Sequence, residues 1–270
     1  MHIKEYLKSK KNLVDKELFA LIPDLKERPK IVHKAIRHAL KGGKRVRPIL
    51  CLASSKAAGG REKDLLKVSC AIEMIHAYSL VHDDLPSMDN ADYRRGLLSC
   101  HKKFGVANAI LAGDALLTLS FNLLSGATKD LALNSKVAKE LSYAAGTFGM
   151  IGGQAIDISS SEKDLLTLEY INIHKTGALI AASCKIGAMA AKAKPKDISA
   201  LFKFGEYIGL VFQIVDDILD SEGIAKLIGP KRAYEYAKEL TEKAKSSISY
   251  QGKRARPLCD LADFILNRKH

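Results

Sequence analysis

Six aspartates in two short stretches carry the clearest chemistry in this sequence: Asp83-Asp84-Leu85-Pro86-Ser87-Met88-Asp89 and, far downstream, Gln213-Ile214-Val215-Asp216-Asp217-Ile218-Leu219-Asp220. Each stretch interrupts or ends a strongly apolar segment, and a carboxylate in such a setting is costly unless it is paired or binds a cation. Gln213, Asp216, Asp217 and Asp220 stand at i, i+3, i+4 and i+7, which is one face of one helix. Leu210, Val211, Phe212, Ile214, Val215, Ile218 and Leu219 make the other faces apolar, so the acidic stripe is expected to look into a polar cavity inside the protein. Carboxylates without His or Cys suit a hard cation such as Mg²⁺, which completes its shell with water and substrate phosphates. The ligand this site expects is phosphorylated.

The first stretch cannot form one straight stripe, because Asp83 and Asp89 are six residues apart and a regular helix sets such positions roughly 120° from each other. Pro86 ends or bends the helix nearby, so the turn after Asp84 is expected to bring Asp89 back toward the cation. Arg94 and Arg95 follow, and guanidinium groups grip phosphate oxygens through more than one hydrogen bond. Paired aspartates also cap helices or sit in solvent, and either stretch alone is compatible with that. Two stretches of matching chemistry in apolar settings, one followed by paired arginines, point to a site.

The elements that must position these residues are helices. Apolar runs over 65–81, 107–124, 179–191 and 201–219 have helical length and spacing, and no Asn-Gly or Asp-Gly signal joins alternating strands. Apolar residues make up 47% of the chain, with no Trp, and an all-α fold is expected. The chain has 270 residues, long for one core, yet no Pro-, Gly- or Ser-rich linker divides it. Residues 1–270 are therefore read as a single domain.

Lys and Arg number 43 against 30 Asp and Glu, a net charge of +13. The basic residues are scattered rather than gathered in a stripe and no aromatic-rich RNA-binding motif accompanies them, so no nucleic-acid partner is expected; a diphosphate substrate also accounts for local positive charge. The densest basic run, Lys253-Arg254-Ala255-Arg256, reads as a solvated helix end. Five cysteines without CxxC spacing suggest reduced thiols. The start, Met1-His2-Ile3-Lys4-Glu5, has no apolar signal core, and no uninterrupted apolar run reaches the roughly 18 residues of a membrane span. A cytoplasmic protein without stable membrane insertion is expected, with the mature form of an organellar protein left open.

Beyond the aspartates, Gly42-Gly43-Lys44-Arg45-Val46-Arg47-Pro48, Gly152-Gly153-Gln154-Ala155-Ile156-Asp157 and His174-Lys175-Thr176-Gly177 complete a set of five motifs over about two-thirds of the chain. In that order they resemble the trans-isoprenyl diphosphate synthases, the polyprenyl synthetases that include farnesyl and geranylgeranyl diphosphate synthases, nearest to the bacterial-type farnesyl and plant-type geranylgeranyl enzymes. The resemblance implies an isoprenoid synthase-type helical bundle around a central cavity lined by the two aspartate motifs, usually as a homodimer. The reaction it implies is head-to-tail condensation of isopentenyl diphosphate with an allylic diphosphate, dependent on several Mg²⁺ ions, with Mn²⁺ a possible substitute.

By that resemblance Asp83, Asp89 and Asp216 hold the metals, and Asp84, Asp217 and Asp220 support them through water or indirect contacts. Arg94 and Lys175 grip the allylic diphosphate; Lys44, Arg47, His76 and Arg95 form the isopentenyl diphosphate pocket. Gln213 and Thr176 stabilise the allylic cation, and the departing diphosphate serves as the final base. A lone His on an apolar helix is also a common core hydrogen-bonder, and that reading of His76 stays open. Tyr78, five residues before Asp83 and so about 7.5 Å down the helix axis, is the expected gauge of product length, and a bulky aromatic there resembles the short-product enzymes. A fifteen-carbon product is expected, with a twenty-carbon product, ordinary core packing by Tyr78, or a non-catalytic subunit as alternatives. A terpene cyclase would want a different second metal motif and a more aromatic pocket than a chain with 6% aromatics supplies.

Two departures from the family pattern stand out. Asp220-Ser221-Glu222-Gly223 runs almost directly into Ile224-Ala225-Lys226-Leu227-Ile228-Gly229-Pro230, where the family usually has a longer loop with a lysine that closes over the diphosphate; Lys226 and Lys231 are weak substitutes. Asn90-Ala91 stands where many bacterial relatives carry further aspartates.

Overall fold

The computed structural model describes residues 3–160 and 164–268. Among them the first helices are α1 (Ile3–Leu21), α2 (Lys30–Ala39), α3 (Val46–Ala57) and α4 (Leu66–Asp83), the last carrying the first aspartates at its C-terminal end. A short hairpin, β1 (Tyr93–Arg94) and β2 (Leu97–Leu98), leads to α5 (Cys100–Phe104), α6 (Val106–Ser125) and α7 (Leu131–Ala145). Then come α8 (Met150–Ser159), α9 (Leu165–Ile171), a π-helical turn at Asn172–Gly177 and α10 (Ala178–Ala190). α11 (Pro195–Asp220), α12 (Gly223–Ile228), α13 (Pro230–Ser247) and α14 (Arg256–Leu266) follow. The all-α expectation holds, and the four runs read from sequence are the interiors of α4, α6, α10 and α11.

Local chemistry explains the boundaries. Pro195 and Pro230 open α11 and α13, where the missing N–H of proline has no intrahelical partner to lose. Asp130 and Asp164 cap α7 and α9 by accepting from the backbone N–H of Leu133 and Thr167. The hairpin, unannounced by Asn-Gly or Asp-Gly, turns instead on Arg95 and Gly96, with φ of 54° and 74°; a pair of left-handed residues suits the twist of two antiparallel strands.

Two buried clusters hold the bundle. One gathers α1, α2, α4, α6 and α7 through residues such as Leu18, Ile36, Ile72, Leu116 and Leu141. The other joins α11, α13 and α14 through Phe204, Ile208, Val211, Leu240 and Leu261. α3 and α10 belong to both: Leu52 and Ile186 pack into the first, Leu50 and Ile180 into the second. α4 is apolar nearly all round, which is the pattern of a helix enclosed by others.

By length and mean hydropathy, 1.4 in each, α6 and α11 could cross a membrane, a feature that a search for uninterrupted apolar runs misses because polar residues such as Asn108 and Asp114 in α6 and Lys203 and Glu206 in α11 break them. α11 packs its apolar faces against α10 and α13. α6 leaves Val106, Ile110 and Leu111 exposed.

One close backbone approach bears on function. A Cβ built on Gly209 of α11 would lie 2.6 Å from the Gly177 Cα, so α11 and the π-helical turn meet backbone to backbone. Gly209→Ala is expected to force them apart and destabilise the protein by about 1–3 kcal/mol, the usual cost of overpacking. Thermal unfolding followed by circular dichroism checks this; an unchanged midpoint would mean that the two segments separate freely.

Candidate active site

α3, α4, α8, the π-helical turn and α11 enclose a cavity of about 990 Å³ whose wall includes both Asp83 and Asp216. Asp83 ends α4 and Asp84 is its C-cap. The chain then folds back, with the Asp89 N–H donating to the Asp83 carbonyl at 2.8 Å and the Asn90 N–H to the Leu85 carbonyl at 3.0 Å. This is the turn expected at Pro86. Asp84 is buried and points away from the cavity wall, accepting from Arg94 Nε at 2.9 Å and also from Arg94 Nη2. Burial, with Asp89 and Asp84 adding negative charge, pushes the Asp83 carboxyl up to about 6 against the opposing pull of Lys175.

On α11 a chain of hydrogen bonds fixes three polar side chains. Thr176 Oγ1 donates to Gln213 Oε1 at 3.0 Å, and Gln213 Nε2 donates to Asp217 Oδ1 at 3.0 Å. Asp217 Oδ2 accepts from the Ile224 N–H at 2.9 Å. Asp217 is therefore buried and engaged, while its neighbour Asp216 faces the cavity. Burial raises the Asp216 carboxyl, opposed chiefly by Arg268, whose Nη2 lies 2.7 Å from Asp216 Oδ1.

The π-helical turn presents Lys175 and Thr176 to the cavity; such turns recur at functional sites because they redirect side chains that a regular helix would turn elsewhere. Gly153 makes room for it, since a Cβ there would meet the Lys175 backbone nitrogen at 2.2 Å. Lys175 Nζ donates to Asp157 Oδ2 of α8 at 2.6 Å.

The opposite corner is strongly basic. Arg45, with φ of 57°, is buried, its Nε 2.7 Å from Asp15 and its Nη1 2.7 Å from Glu73; its Nη2 also donates to the Leu40 carbonyl. Arg95 Nη2 stands 4.0 Å from the same Glu73 carboxylate. Lys44, Arg47 and His76 share this wall. Burial lowers the Arg47 pKa to about 10, leaving it charged at neutral pH. Burial first, then Arg47 and the other arginines, push His76 well below the ordinary histidine value, so its imidazole is neutral.

Of the residues singled out from sequence, Lys44, Arg47, His76, Tyr78, Asp83, Arg94, Arg95, Lys175, Thr176, Gln213 and Asp216 converge on the cavity. Asp84 and Asp217 lie behind it on side-chain and backbone donors, and Asp89 and Asp220 are exposed. Lys226 and Lys231 are exposed and do not line it. Among the described residues no three His, Cys, Asp or Glu side chains form a ready-made metal cluster. The donor set nonetheless suits a hard cation: Asp83 and Asp216 present carboxylate oxygens to one cavity, and burial raises both carboxyls. Glu73, Asp157 and Arg268 are the functional neighbours that sequence reading missed. Glu73 precedes His76 by three residues on α4 and Asp157 closes a quoted motif, whereas nothing in the sequence marks Arg268.

The polyprenyl synthetase family model matches residues 29–233. The chain is 42% identical to a geranylgeranyl diphosphate synthase of Cyanophora paradoxa, covering 98% of this chain and 96% of the relative. It is 41% identical to geranylgeranyl pyrophosphate synthase 4 of Arabidopsis thaliana, over 99% of this chain and 78% of that one. An apo FPP/GFPP synthase structure from Zymomonas mobilis superimposes with a TM-score of 0.93 at 34% identity, covering 98% of both chains. Family match, relatives and structural neighbour agree with a helical cavity that sets carboxylates among cationic side chains: the chain belongs to the polyprenyl synthetase family, and is a prenyltransferase of the short-chain trans-isoprenyl diphosphate synthase type.

Proposed function

We propose that this enzyme condenses isopentenyl diphosphate with dimethylallyl and then geranyl diphosphate, and releases the fifteen-carbon farnesyl diphosphate. The observation that carries the product length is Tyr78. It lies on α4 below Asp83, only 5% exposed, lines the cavity, and packs edge-on against His82 with ring centroids 5.9 Å apart. A fixed ring at that depth, on a wall that also carries Leu117 and Met150, leaves a growing chain little room to pass. A twenty-carbon product is the second reading, favoured by the names of relatives from Cyanophora paradoxa, Arabidopsis thaliana and Capsicum annuum, all called geranylgeranyl synthases.

Synthases of this family generally need a divalent metal. In this reading it is Mg²⁺, replaceable by Mn²⁺, held by Asp83 and Asp216 with help from Asp89 and Asp220, while Asp84 and Asp217 orient the chain behind them; when bound it neutralises charge building on the diphosphate leaving group. Lys175 and Arg94 bind the allylic diphosphate, and Lys44, Arg47, Arg95 and neutral His76 receive isopentenyl diphosphate. The Thr176 proton is directed to Gln213, which leaves the hydroxyl lone pairs free to stabilise an allylic cation without a strong nucleophile to trap it. The departing diphosphate takes the final proton.

The shared membership of α3 and α10 in both clusters supports reading 1–270 as one domain. All five cysteines are free, which supports a reducing, cytoplasmic setting, although relatives from Arabidopsis thaliana and Capsicum annuum are named chloroplastic. The exposed Val106, Ile110 and Leu111 on α6 suit a second copy of this chain; Arabidopsis thaliana relatives named as heterodimeric large subunits make a different partner the competing arrangement.

Purified protein given Mg²⁺, dimethylallyl diphosphate and isopentenyl diphosphate is expected to make prenyl diphosphate by itself, and Asp83→Ala or Asp216→Ala to lose turnover by about a hundredfold or more, because electrostatic stabilisation of a leaving group is usually the largest catalytic contribution. Near-normal turnover of Asp216→Ala at limiting Mg²⁺, with helical content intact, would refute the paired site. Tyr78→Ala is expected to shift the main product beyond fifteen carbons on chromatography while the first condensation continues. Because aromatic truncation can cost about 3–5 kcal/mol, a cooperative melt must accompany it; an unchanged product pattern from folded protein removes Tyr78 as the gauge. Leu111→Glu is expected to convert a dimer to monomer in sedimentation, and a monomeric parent protein would sink the homodimer.

A further inference from the structure

The cations on the cavity wall come from the start of α3, the hairpin, the π-helical turn and, alone from the chain beyond α11, Arg268. Arg268 follows α14 and reaches back across the bundle. Its guanidinium lies over the Phe212 ring, 3.9 Å from the centroid, and its Nη2 donates to the Phe212 carbonyl at 2.6 Å and to Asp216 Oδ1 at 2.7 Å. The side chain is only 10% exposed, and Nε is buried without a hydrogen-bond partner.

This geometry is unusual for a simple tether. A guanidinium has five donors arranged as a fork that suits two oxygens of a phosphate, yet here one nitrogen carries the described contacts and Nε is idle. A buried unpaired donor is costly, and a diphosphate oxygen in the cavity would satisfy it. Stacking on Phe212 holds the group in place whether or not Asp216 is its partner. Arg94 on Asp84 differs, since there both Nε and Nη2 are engaged by a carboxylate that lies behind the cavity.

We propose that Arg268 is a diphosphate-binding residue of the second aspartate motif: it pairs with Asp216 and turns its fork to the diphosphate when a divalent cation takes Asp216. The proposal rests on the reading of Asp216 as a cation ligand. It assigns to the end of the chain a substrate contact that neither Lys226 nor Lys231 makes. While Arg268 pairs with Asp216 Oδ1 it offsets the negative charge that draws a cation there, so the two oppose each other before substrate arrives and act together afterwards.

Binding to the whole protein, without turnover, tests this. Free Mn²⁺ counted by paramagnetic resonance gives cation affinity, and calorimetry with inorganic pyrophosphate in saturating Mg²⁺ gives anion affinity. Arg268→Gln is expected to bind Mn²⁺ alone several-fold more tightly and pyrophosphate about ten- to a hundredfold more weakly, the range set by hydrogen bonds to charged groups. Arg268→Lys, which keeps charge but not the fork, is expected to fall between and serves if the glutamine variant does not melt cooperatively. Unchanged affinities for both probes in a folded variant would leave Arg268 a tether and overturn the proposal. Asp216→Asn separates the two readings: if it binds Mn²⁺ as the parent does, Asp216 is not the ligand and the exchange fails with it, whereas weakened Mn²⁺ binding there with an inert Arg268→Gln rejects the arginine alone.

Discussion

Positive charge crowded into one cavity is the constraint on which the rest of the structure depends. Lys44, Arg45, Arg47, Arg94, Arg95, Lys175 and Arg268 all reach its wall, and like charges so close in a partly dehydrated space repel strongly. The fold answers with carboxylates placed behind them: Asp15 and Glu73 on Arg45, Asp84 on Arg94, Asp157 on Lys175, Asp216 on Arg268. Removing one partner of a buried pair leaves the other uncompensated, at a cost well above the value of the pair itself. The same carboxylates hold the cations ready in fixed positions, which is what recognition of a diphosphate requires.

The helices supply the rigidity for that arrangement. α4 and α11 pack into separate apolar clusters and bring an acidic end or stripe to the shared cavity. α3 and α10 bridge the clusters, so the two aspartate motifs are fixed relative to each other by packing and not by direct contact. Where the backbone must come closer than side chains allow, glycine stands at the crossing, as Gly153 does beside Lys175 and Gly209 beside Gly177. The π-helical turn between α9 and α10 is held from both sides by these contacts, and Lys175 and Thr176 depend on it for their aim.

Tyr78 links this electrostatic wall to the apolar depth of the cavity. It shares α4 with Glu73, His76 and Asp83, so one helix carries the support for the basic corner, a corner residue, a ring on the cavity wall and the first aspartate in succession. A change in the tilt of α4 would move all of them together, which explains why the helix is enclosed on nearly every face.

Much of this was legible in the sequence. The i, i+3, i+4, i+7 stripe on α11 needed only helical periodicity, Pro86 announced the turn that returns Asp89 to Asp83, and long apolar runs announced the helices, because these are local properties of a chain with 3.6 residues per turn. Local pattern also brought Arg94 and Arg95 to notice beside the first aspartates, leaving Lys44, Arg47 and Lys175 to the family resemblance. It could not say which aspartates reach the cavity, since Asp83 and Asp84 are neighbours that the end of a helix sends in different directions, and Asp216 and Asp217 differ only in what packs behind them. Nor could it find Glu73 as the support of Arg45, the π-helical turn under Lys175, the Arg95-Gly96 hairpin, or Arg268 on Asp216. Those depend on segments far apart in sequence meeting in the folded bundle, and a contact between distant residues leaves no periodic mark in either one.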